Sequence, residues 1–338
     1  MQGIVWHGQY DLRLEDVKEP VCGEGELLLQ VKCAGICGSD LMIYSGKHKR
    51  ATPPTILGHE FTGVVVERRG AGRPEVQVGE RVVVNPNYAC GDCELCLAGK
   101  GHICEKKGLY GVDVDGGFAP YVKVALKSAV PLPKEVSYEE AVLIEPLAVA
   151  VRAVAIGQVG VGSSIVVIGG GPIGLLTAMV ARVAGARAVL VIEPQPYRRQ
   201  LAHSLGFQVL APDEASRAHV MDLTHGRGVD LVFDAAGVPP AARTSMELVK
   251  RAGRIVIIAV YKEPVVVDLG VLGYSELEIR GTTVYTPAEF AQSVGLVAER
   301  RLDPTLVVTN RLALTEGVHA IEALSKGMNA GKIVLTAS

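Results

Sequence analysis

The sequence predicts an α/β protein of two domains, one of which contains a doubly wound parallel sheet. Three observations carry this prediction: the length of 338 residues, a stretch of alternating apolar strands and helical runs, and a glycine motif that joins one strand to the next helix. A chain of this length is too long to fold around a single hydrophobic core and is typical of two domains. Its formal net charge is −2, with both signs interspersed. Because no basic patch is visible, we expect no nucleic-acid or membrane partner, and a small molecule is favoured.

The alternation of strands and helices runs from residue 149 to residue 285 and predicts a parallel doubly wound sheet. Strands are expected in SIVVIG at Ser164, AVLVIE at Ala188, FQVLA at Phe207, VDLVFDAAG at Val229, GRIVIIAV at Gly253 and LEIRGTTVY at Leu277. Helical runs are expected over residues 197–205, 215–225 and 240–250. The helix PAEFAQSVGLVAERR and the closing GKIVLTAS lie outside the alternation. They are expected to return to the first domain, which then comprises residues 1–148 and 286–338.

Neither the N-terminal segment nor the longest uncharged run predicts export or a membrane span. The opening MQGIVWHGQYDLRLEDV lacks the basic and apolar regions of a signal peptide and carries Asp11, Glu15 and Asp16 early. The uncharged run over residues 159–181 is broken by three glycines and a proline, which predicts a strand, a tight turn and a helix. We therefore expect a cytoplasmic protein.

The segment GGGPIG after the strand SIVVIG matches the dinucleotide fingerprint G-x-G-x-x-G. Gly169 allows the tight turn, Gly171 lets the backbone approach a pyrophosphate, and Gly174 permits close packing of helix on strand. The N-terminus of the following helix, at Pro172 and Ile173, stabilises the phosphate charge. The sequence therefore predicts a dinucleotide site in this loop.

Glu193 ends the next strand, AVLVIE, at the distance expected of the acidic residue that binds the adenosine ribose. A carboxylate there accepts hydrogen bonds from both ribose hydroxyls and repels a 2′-phosphate, so NAD is favoured over NADP. Arg198 and Arg199 leave NADP open, because each offers a 2′-phosphate a partner. The alternative for both arginines is a solvated helix face.

Four of the seven cysteines lie in the segment ACGDCELCLAGKGHIC. The odd count and the expected cytoplasmic location weigh against a disulfide framework. The spacing C-x-x-C-x-x-C-x7-C suits one tetrahedral zinc ion, which four thiolates close and which is therefore structural. We predict a lobe over about residues 88–106 that this metal stabilises, with the ligands Cys90, Cys93, Cys96 and Cys104. Of the others, Cys22 is expected to be a surface thiol and Cys33 a small core residue.

A second set of metal ligands is predicted from the segments AGICGSDLMIYSGKH, PTILGHEFTGVVVE and VLIEPLAVAV. Cys37, His59 and Glu60 are residue types that bind zinc. Glu145 lies in an apolar run, where a carboxylate must be paired or bound to a metal. We group Cys37, His59 and Glu145 as ligands, with Glu60 near or on the metal. Because such a mixed set can leave a position open for water or substrate, this zinc is predicted to be catalytic.

Together these segments resemble the zinc-dependent medium-chain dehydrogenase/reductase superfamily, also called the alcohol dehydrogenase superfamily, over nearly the whole chain. They are most similar to its polyol, butanediol and threonine dehydrogenase branch, in which CGSD, GHE and EP supply the zinc-site residues. The resemblance implies a GroES-like catalytic domain followed by a Rossmann domain. It also implies catalytic roles for the residues Cys37, Ser39, His59, Glu60 and Glu145, and a structural and a catalytic zinc ion in each chain.

The activity implied by the resemblance is hydride transfer from a secondary alcohol, such as a polyol, diol, cyclitol or amino alcohol, to NAD. Ser39 passes the alcohol proton outward. The alternative is a non-catalytic dinucleotide-binding redox sensor or structural protein on the same fold. The intact ligand set argues against that alternative. Relatives are dimers or tetramers, so we expect a homo-oligomer, for which GRIVIIAV and LEIRGTTVY offer a contact between sheet edges.

Two positions depart from the family pattern. Met42 stands where many relatives have the histidine that completes the proton relay. His48, or water reached through the cofactor ribose, is the expected replacement, although the segment SGKHKR favours an exposed His48. Arg152 stands where polyol relatives often have histidine. It either faces an anionic or hydroxyl-rich substrate or, as we favour, pairs with an acidic side chain. Threonine is the less favoured substrate, because no further carboxylate-binding group accompanies Arg152.

Overall fold

The computed structural model describes residues 1–337, which form two compact units. The first unit consists of Met1–Glu145 and of the chain from Thr286 onward. The second consists of Pro146–Tyr285. The division between them falls inside a helix that spans Ile144–Gly157, whereas the sequence placed it at residue 149.

The strands and helices alternate in a different way in each unit. In chain order, the strands are β1 (Gln2–Gly8), β2 (Asp11–Asp16), β3 (Glu26–Ile36), β4 (Thr55–Ile56), β5 (Glu60–Arg68), β6 (Arg81–Val84), β7 (Asn87–Tyr88), β8 (Gly108–Leu109), β9 (Tyr121–Ala125), β10 (Ala129–Pro131), β11 (Ser164–Ile168), β12 (Ala188–Ile192), β13 (Gln208–Leu210), β14 (Val229–Asp234), β15 (Val249–Ile257), β16 (Glu278–Gly281), β17 (Val308–Ala313) and β18 (Lys332–Thr336). The helices are α1 (Gly38–Tyr44), α2 (Glu94–Leu97), α3 (Tyr138–Val142), α4 (Ile144–Gly157), α5 (Pro172–Val183), α6 (Pro196–Ser204), α7 (Glu214–Leu223), α8 (Pro239–Leu248), α9 (Leu269–Tyr274), α10 (Pro287–Ala298) and α11 (Gly317–Ser325). Short 3₁₀ turns link several of these elements.

The first unit is rich in β structure and is built around β3. This strand pairs antiparallel with β5, β9 and β18, in a sheet of order β10-β6-β5-β3-β18-β17. A second sheet has the order β2-β1-β4, and β7 pairs with β8. Apolar side chains from β1, β3, β5 and β9 form one continuous core. The C-terminal strand β18 thus completes the sheet of the N-terminal segment.

The second unit contains one parallel sheet of order β13-β12-β11-β14-β15-β16. All five residues of β11 are buried, as expected where helices cover both faces of a parallel sheet. This sheet bears out the doubly wound α/β class. The order reverses at β11, so that the loop after this strand lies at a topological switch point, where ligands of such sheets bind.

Two local predictions about this fold were wrong. β15 begins at Val249 instead of Gly253, and α8 ends before it at Leu248. A shift in the pairing of β14 with β15 accommodates the extra residues, and Ala252 there has a φ of +54°. Cys22 is 1% exposed and is therefore a buried thiol, not a surface one. Its Sγ donates a hydrogen bond to the Glu26 carbonyl at 3.2 Å.

No helix within residues 1–337 combines the length and the apolar character that a bilayer span requires. The uncharged run of residues 159–181 folds instead as β11, the glycine loop and most of α5. The strand, turn and helix expected for this run are therefore confirmed.

Candidate active site and zinc sites

Cys37 lies where β3 ends and α1 begins. It is the N-cap of α1, and its backbone N–H donates a 2.8 Å hydrogen bond to Asp40 Oδ2. An acidic residue three positions after the N-cap satisfies an amide that the helix itself leaves without a partner. This cap fixes the turn by which Cys37 leaves the strand.

The register of β3 and β5 brings His59 and Glu60 to Cys37. Gly35 of β3 pairs with Glu60, the first residue of β5. The ligand atoms of Cys37, His59 and Glu60 all lie within 4.8 Å of one another. His59 is 4% exposed and Glu60 is 0% exposed. Three residue types that bind zinc therefore converge at one end of the sheet, with His59 and Glu60 buried and Cys37 half-buried.

The two other predicted residues, Ser39 and Glu145, lie around this cluster. Ser39 Oγ is 3.4 Å from His59 Nε2. Glu145 is 7% exposed in the first turn of α4, and its charge acts on His59. The structure thus brings Cys37, His59 and Glu60 into one group, with Ser39 beside it and Glu145 within electrostatic reach.

Asp40 is a buried residue of the site that the sequence analysis did not single out. It is 0% exposed, and burial raises the pKa of its carboxyl. Its Oδ1 faces His59 Nδ1 at 3.7 Å, and neither atom has a hydrogen-bond partner among residues 1–337. A carboxylate behind one ring nitrogen orients a histidine so that the other nitrogen binds a metal. The sequence signal that could have identified Asp40 is its position in the CGSD motif, three residues after Cys37.

Lys332 is the second residue of the site that the sequence analysis missed. It begins β18, whose antiparallel pairing with the end of β3 places it next to Glu60. Lys332 and Glu60 form a buried ion pair. Burial lowers the pKa of Lys332, but the charges of Glu60 and Cys37 outweigh that effect and raise the pKa overall. Gly35 leaves room for the pair, since a Cβ there would lie 2.1 Å from Glu60 Oε2.

The charges of the cluster fit a bound zinc ion. Burial alone lowers the pKa of His59. The charges of Cys37, Asp40 and Glu145 outweigh it and raise that pKa well above its usual value. A buried group with this excess of negative charge favours a cation. Zinc fits best, because thiolate, imidazole and carboxylate are its usual ligands.

The thiols of the four-cysteine lobe surround a single point. Cys90 Sγ lies 3.4 Å from Cys104 Sγ and 3.7 Å from Cys96 Sγ, and Cys93 Sγ lies 3.8 Å from Cys104 Sγ. These separations exceed a disulfide bond of about 2.05 Å. They match the roughly 3.8 Å expected between thiolates that each lie about 2.3 Å from a tetrahedral zinc. The lobe therefore fits a closed, structural zinc site.

The glycine loop joins β11 to α5 and presents the start of that helix. Gly169 has a φ of +106°, in the region that favours glycine. A Cβ on Gly174 would lie 1.9 Å from the Gly169 carbonyl oxygen. Gly171 is the N-cap of α5 and Pro172 is its first residue. The amide groups of this first turn, with that of Ile173, suit the pyrophosphate of a dinucleotide.

Glu193 follows β12 and contacts the glycine loop. It is 3% exposed. Its Oε2 accepts a 2.6 Å hydrogen bond from the Gly170 N–H, and its Oε1 accepts one of 2.8 Å from the Gln195 N–H. A carboxylate offers about four acceptor positions, so it still has capacity for ribose hydroxyls. Arg198 approaches the same loop. Its Nη1 would lie 3.8 Å from a Cβ atom added to Gly171.

Comparison with known proteins identifies the family. The model of the alcohol dehydrogenase GroES-like domain matches residues 23–134, and that of the zinc-binding dehydrogenase domain matches residues 172–299. The chain belongs to the zinc-dependent medium-chain dehydrogenases. This dehydrogenase is 39% identical over 281 residues to 2-dehydro-3-deoxy-L-galactonate 5-dehydrogenase of Pseudoalteromonas atlantica, covering 82% of each chain. It is 36% identical to L-threonine 3-dehydrogenase of Pyrococcus horikoshii, covering 96% of this chain and 93% of the relative.

Solved structures agree with these relatives. 2R,3R-butanediol dehydrogenase from Bacillus subtilis superimposes with a TM-score of 0.92 at 32% identity, covering 100% of this chain and 99% of that one. A structure from Sinorhizobium meliloti 1021 that is bound to NADP has a TM-score of 0.91 at 30% identity, covering 99% and 98%. The predicted family and the GroES-like and Rossmann fold class are confirmed. The protein is a zinc-dependent, NAD(P)-linked dehydrogenase, and the non-catalytic alternative is not favoured.

Proposed function

We propose that this dehydrogenase oxidises a secondary alcohol, a polyol, diol, cyclitol or amino alcohol, with NAD as the hydride acceptor. The convergence of Cys37 with the buried residues His59 and Glu60 in one cluster supports this proposal. When bound, zinc supplies a Lewis acid for the substrate hydroxyl and the nicotinamide accepts the hydride. Cys37, His59 and Glu145 would hold the catalytic zinc, with Glu60 on it or next to it. Cys90, Cys93, Cys96 and Cys104 would hold the structural zinc.

The chain's own residues would orient the substrate and move its proton. Ser39, beside His59 Nε2, would accept the hydroxyl proton and pass it outward. Met42 cannot continue this relay. His48 is half-buried, contrary to the exposure expected from its sequence, and its Nδ1 accepts hydrogen bonds from the N–H groups of Arg50 and Ala51. Those bonds leave the proton on Nε2. His48, or water reached through the cofactor ribose, would then replace the missing relay histidine.

Substrate class is tested by following NADH formation at 340 nm over a panel of alcohols. The panel includes 2R,3R-butanediol and L-threonine, after which two related enzymes are named, together with polyols and cyclitols. A sugar-acid hydroxyl is included because the relative from Pseudoalteromonas atlantica acts on one. Arg152 lies half-buried on α4, and a preference for anionic substrates would assign it to substrate binding. Absence of turnover across the panel, with zinc and NAD bound, would contradict the proposal.

Replacement of Glu193 tests the preference for NAD. We expect Glu193→Ala to raise the KM for NAD by about tenfold, because each lost hydrogen bond to a charged group costs about 1.5–3 kcal/mol and water restores part of it. The ratio of kcat/KM for NAD to that for NADP should fall further, since the repulsion of a 2′-phosphate is removed. Arg199→Ala is the matched control, because its guanidinium already bonds the carbonyls of Glu193 and Pro194. An unchanged NAD to NADP ratio in Glu193→Ala would refute the ribose role.

The proposal includes a homo-oligomer, either a dimer or a tetramer. β16 is an edge strand of the parallel sheet, and exposed apolar side chains lie on and near it: Val260, Val266, Leu269, Val271, Tyr274 and Ile279. An exposed apolar edge is a template for pairing with a second chain. Light scattering should give two or four times 35.7 kDa, and Ile279→Lys should lower the mass. A wild-type mass of one chain would contradict this part of the proposal.

A cytoplasmic location is the last part of the proposal. None of the seven cysteines forms a disulfide, and reduced cysteines persist in reducing compartments. Cell fractionation should recover the protein with cytoplasmic markers, and recovery with exported proteins would contradict the location.

A further inference from the structure

Asp234 is a buried carboxylate of the second unit to which the proposed reaction assigns no role. It ends β14 and is 0% exposed. Its Oδ1 accepts hydrogen bonds from the N–H groups of Ala236 at 2.9 Å and Gly237 at 3.0 Å. Its Oδ2 accepts a hydrogen bond from the hydroxyl of Tyr261, which lies in the loop after β15. One side chain thus joins the loops that follow two adjacent strands.

Tyr261 is suited to act as a permanent donor in this pair. It is half-buried. Burial raises the pKa of its hydroxyl, and the bond to Asp234 raises it further, so the proton stays on the tyrosine. A hydrogen bond to a charged acceptor is stronger than one between neutral groups. Loss of the hydroxyl would leave part of a buried carboxylate without its donor.

The two loops joined by this pair are also in direct backbone contact. The Asp234 carbonyl accepts hydrogen bonds from the N–H groups of Ile258 at 2.9 Å and Ala259 at 3.1 Å. A Cβ on Gly237 would lie 2.8 Å from the Ala259 Cβ. The loop after β15 is therefore held against the loop after β14 by both main-chain and side-chain bonds.

The glycine loop packs against the same segment. A Cβ on Gly169 would lie 3.1 Å from the carbonyl carbon of Ala235 and from the nitrogen of Ala236. The Ala235 N–H donates to the Ile168 carbonyl at 2.9 Å. Asp234 thus fixes the peptide group between Ala235 and Ala236, and Gly169, the first glycine of the dinucleotide motif, packs against this same peptide group.

Strand order indicates which half of the dinucleotide these loops face. β12, with Glu193 after it, lies on one side of β11, and β14 and β15 lie on the other. The pyrophosphate is expected at the loop after β11 and the adenosine ribose at Glu193. The nicotinamide half therefore extends over the carboxyl ends of β14 and β15.

We propose that Asp234 and Tyr261 are positioning residues that hold the loops after β14 and β15 in the conformation that receives the nicotinamide ring of the cofactor. The inference rests on the dinucleotide site of the proposed function. Neither side chain needs to touch the cofactor. Their effect is to fix the backbone groups of residues 235–237 and 258–261 before the cofactor binds, which lowers the ordering cost of binding.

The test compares NADH, which carries a nicotinamide, with ADP-ribose, which does not. In the zinc-loaded enzyme, Tyr261→Phe should raise the Kd of NADH by about five- to tenfold and leave that of ADP-ribose unchanged. The KM for NAD should rise with a much smaller change in kcat. Tyr10→Phe is the control, because this tyrosine is 58% exposed and belongs to none of the proposed sites. NADH binding follows from fluorescence and ADP-ribose binding from calorimetry.

A second variant separates positioning from general damage to the fold. Asp234→Asn keeps an acceptor for the Ala236 and Gly237 amides and a polar partner for Tyr261, so it should bind NADH more tightly than Asp234→Ala does. Equal losses for NADH and ADP-ribose in Tyr261→Phe, or no loss for either, would overturn the positioning role. Failure of the wild-type enzyme to bind both ligands would instead overturn the dinucleotide site itself, and the inference with it.

Discussion

Cys37→Ser is expected to lower kcat/KM for the alcohol by about a thousandfold or more, while the fold and NADH binding are kept. The reason is that Cys37 supplies the thiolate of the cluster with His59 and Glu60, and a hydroxyl is a poor substitute for a thiolate on zinc. A thousandfold loss corresponds to about 4 kcal/mol of transition-state stabilisation, within what Lewis-acid catalysis provides. Steady-state kinetics, circular dichroism and NADH fluorescence measure the three quantities.

The matched control for this variant is Cys22→Ser. Cys22 is a buried cysteine of the same unit, and its Sγ donates to the Glu26 carbonyl, a bond that a serine hydroxyl can keep. Activity close to that of the wild type is expected. If Cys37→Ser kept most of its activity, or lost activity only because it failed to fold, Cys37 would not be a catalytic ligand.

Cys93→Ser is expected to lower the stability of the protein and to leave the chemical step largely unchanged. Opening the four-thiolate shell removes metal that the lobe needs in order to fold, since α2, the helix of the lobe, buries none of its own residues. A loss of several kcal/mol in the free energy of unfolding corresponds to a decrease in Tm of about 10 °C in a chain of this size. Calorimetry at matched zinc concentrations measures it, and kcat below the melting range should fall by less than about tenfold.

Glu94→Gln is the control for the lobe, because Glu94 is the exposed neighbour of Cys93 and has no expected role in metal binding. Its Tm should stay within about 2 °C of the wild type, as is usual for surface substitutions. A Cys93→Ser protein with unchanged Tm and unchanged zinc would show that the lobe holds no structural metal.

The features predicted well from the sequence are those encoded within a few consecutive residues. The spacing of Cys90, Cys93, Cys96 and Cys104 fits one short loop, and the thiols indeed surround one point. The glycine motif is equally local, since strand, turn and helix follow one another around Gly169. In both cases the residue spacing itself limits the geometry, so one sequence is enough.

The features missed depend on strand pairing between distant segments. Lys332 reaches Glu60 across 272 positions of sequence, and only the pairing of β18 with β3 brings them together. Tyr261 meets Asp234 for the same reason, through β15 and β14. Tertiary packing also buries Cys22 and half-buries His48, and the residues next to them in the sequence do not indicate this. Asp40 is the exception, because its place in CGSD was a local signal that was not used.

The central claim is that each chain holds two zinc ions in sites of different function. The most direct measurement is the zinc content of wild type, Cys37→Ser and Cys93→Ser, determined on the samples used for activity and Tm. The account predicts about two zinc ions per chain in the wild type and about one in each variant, with activity lost only in Cys37→Ser and stability lost mainly in Cys93→Ser. One zinc ion in the wild type, or the same losses in both variants, would contradict it.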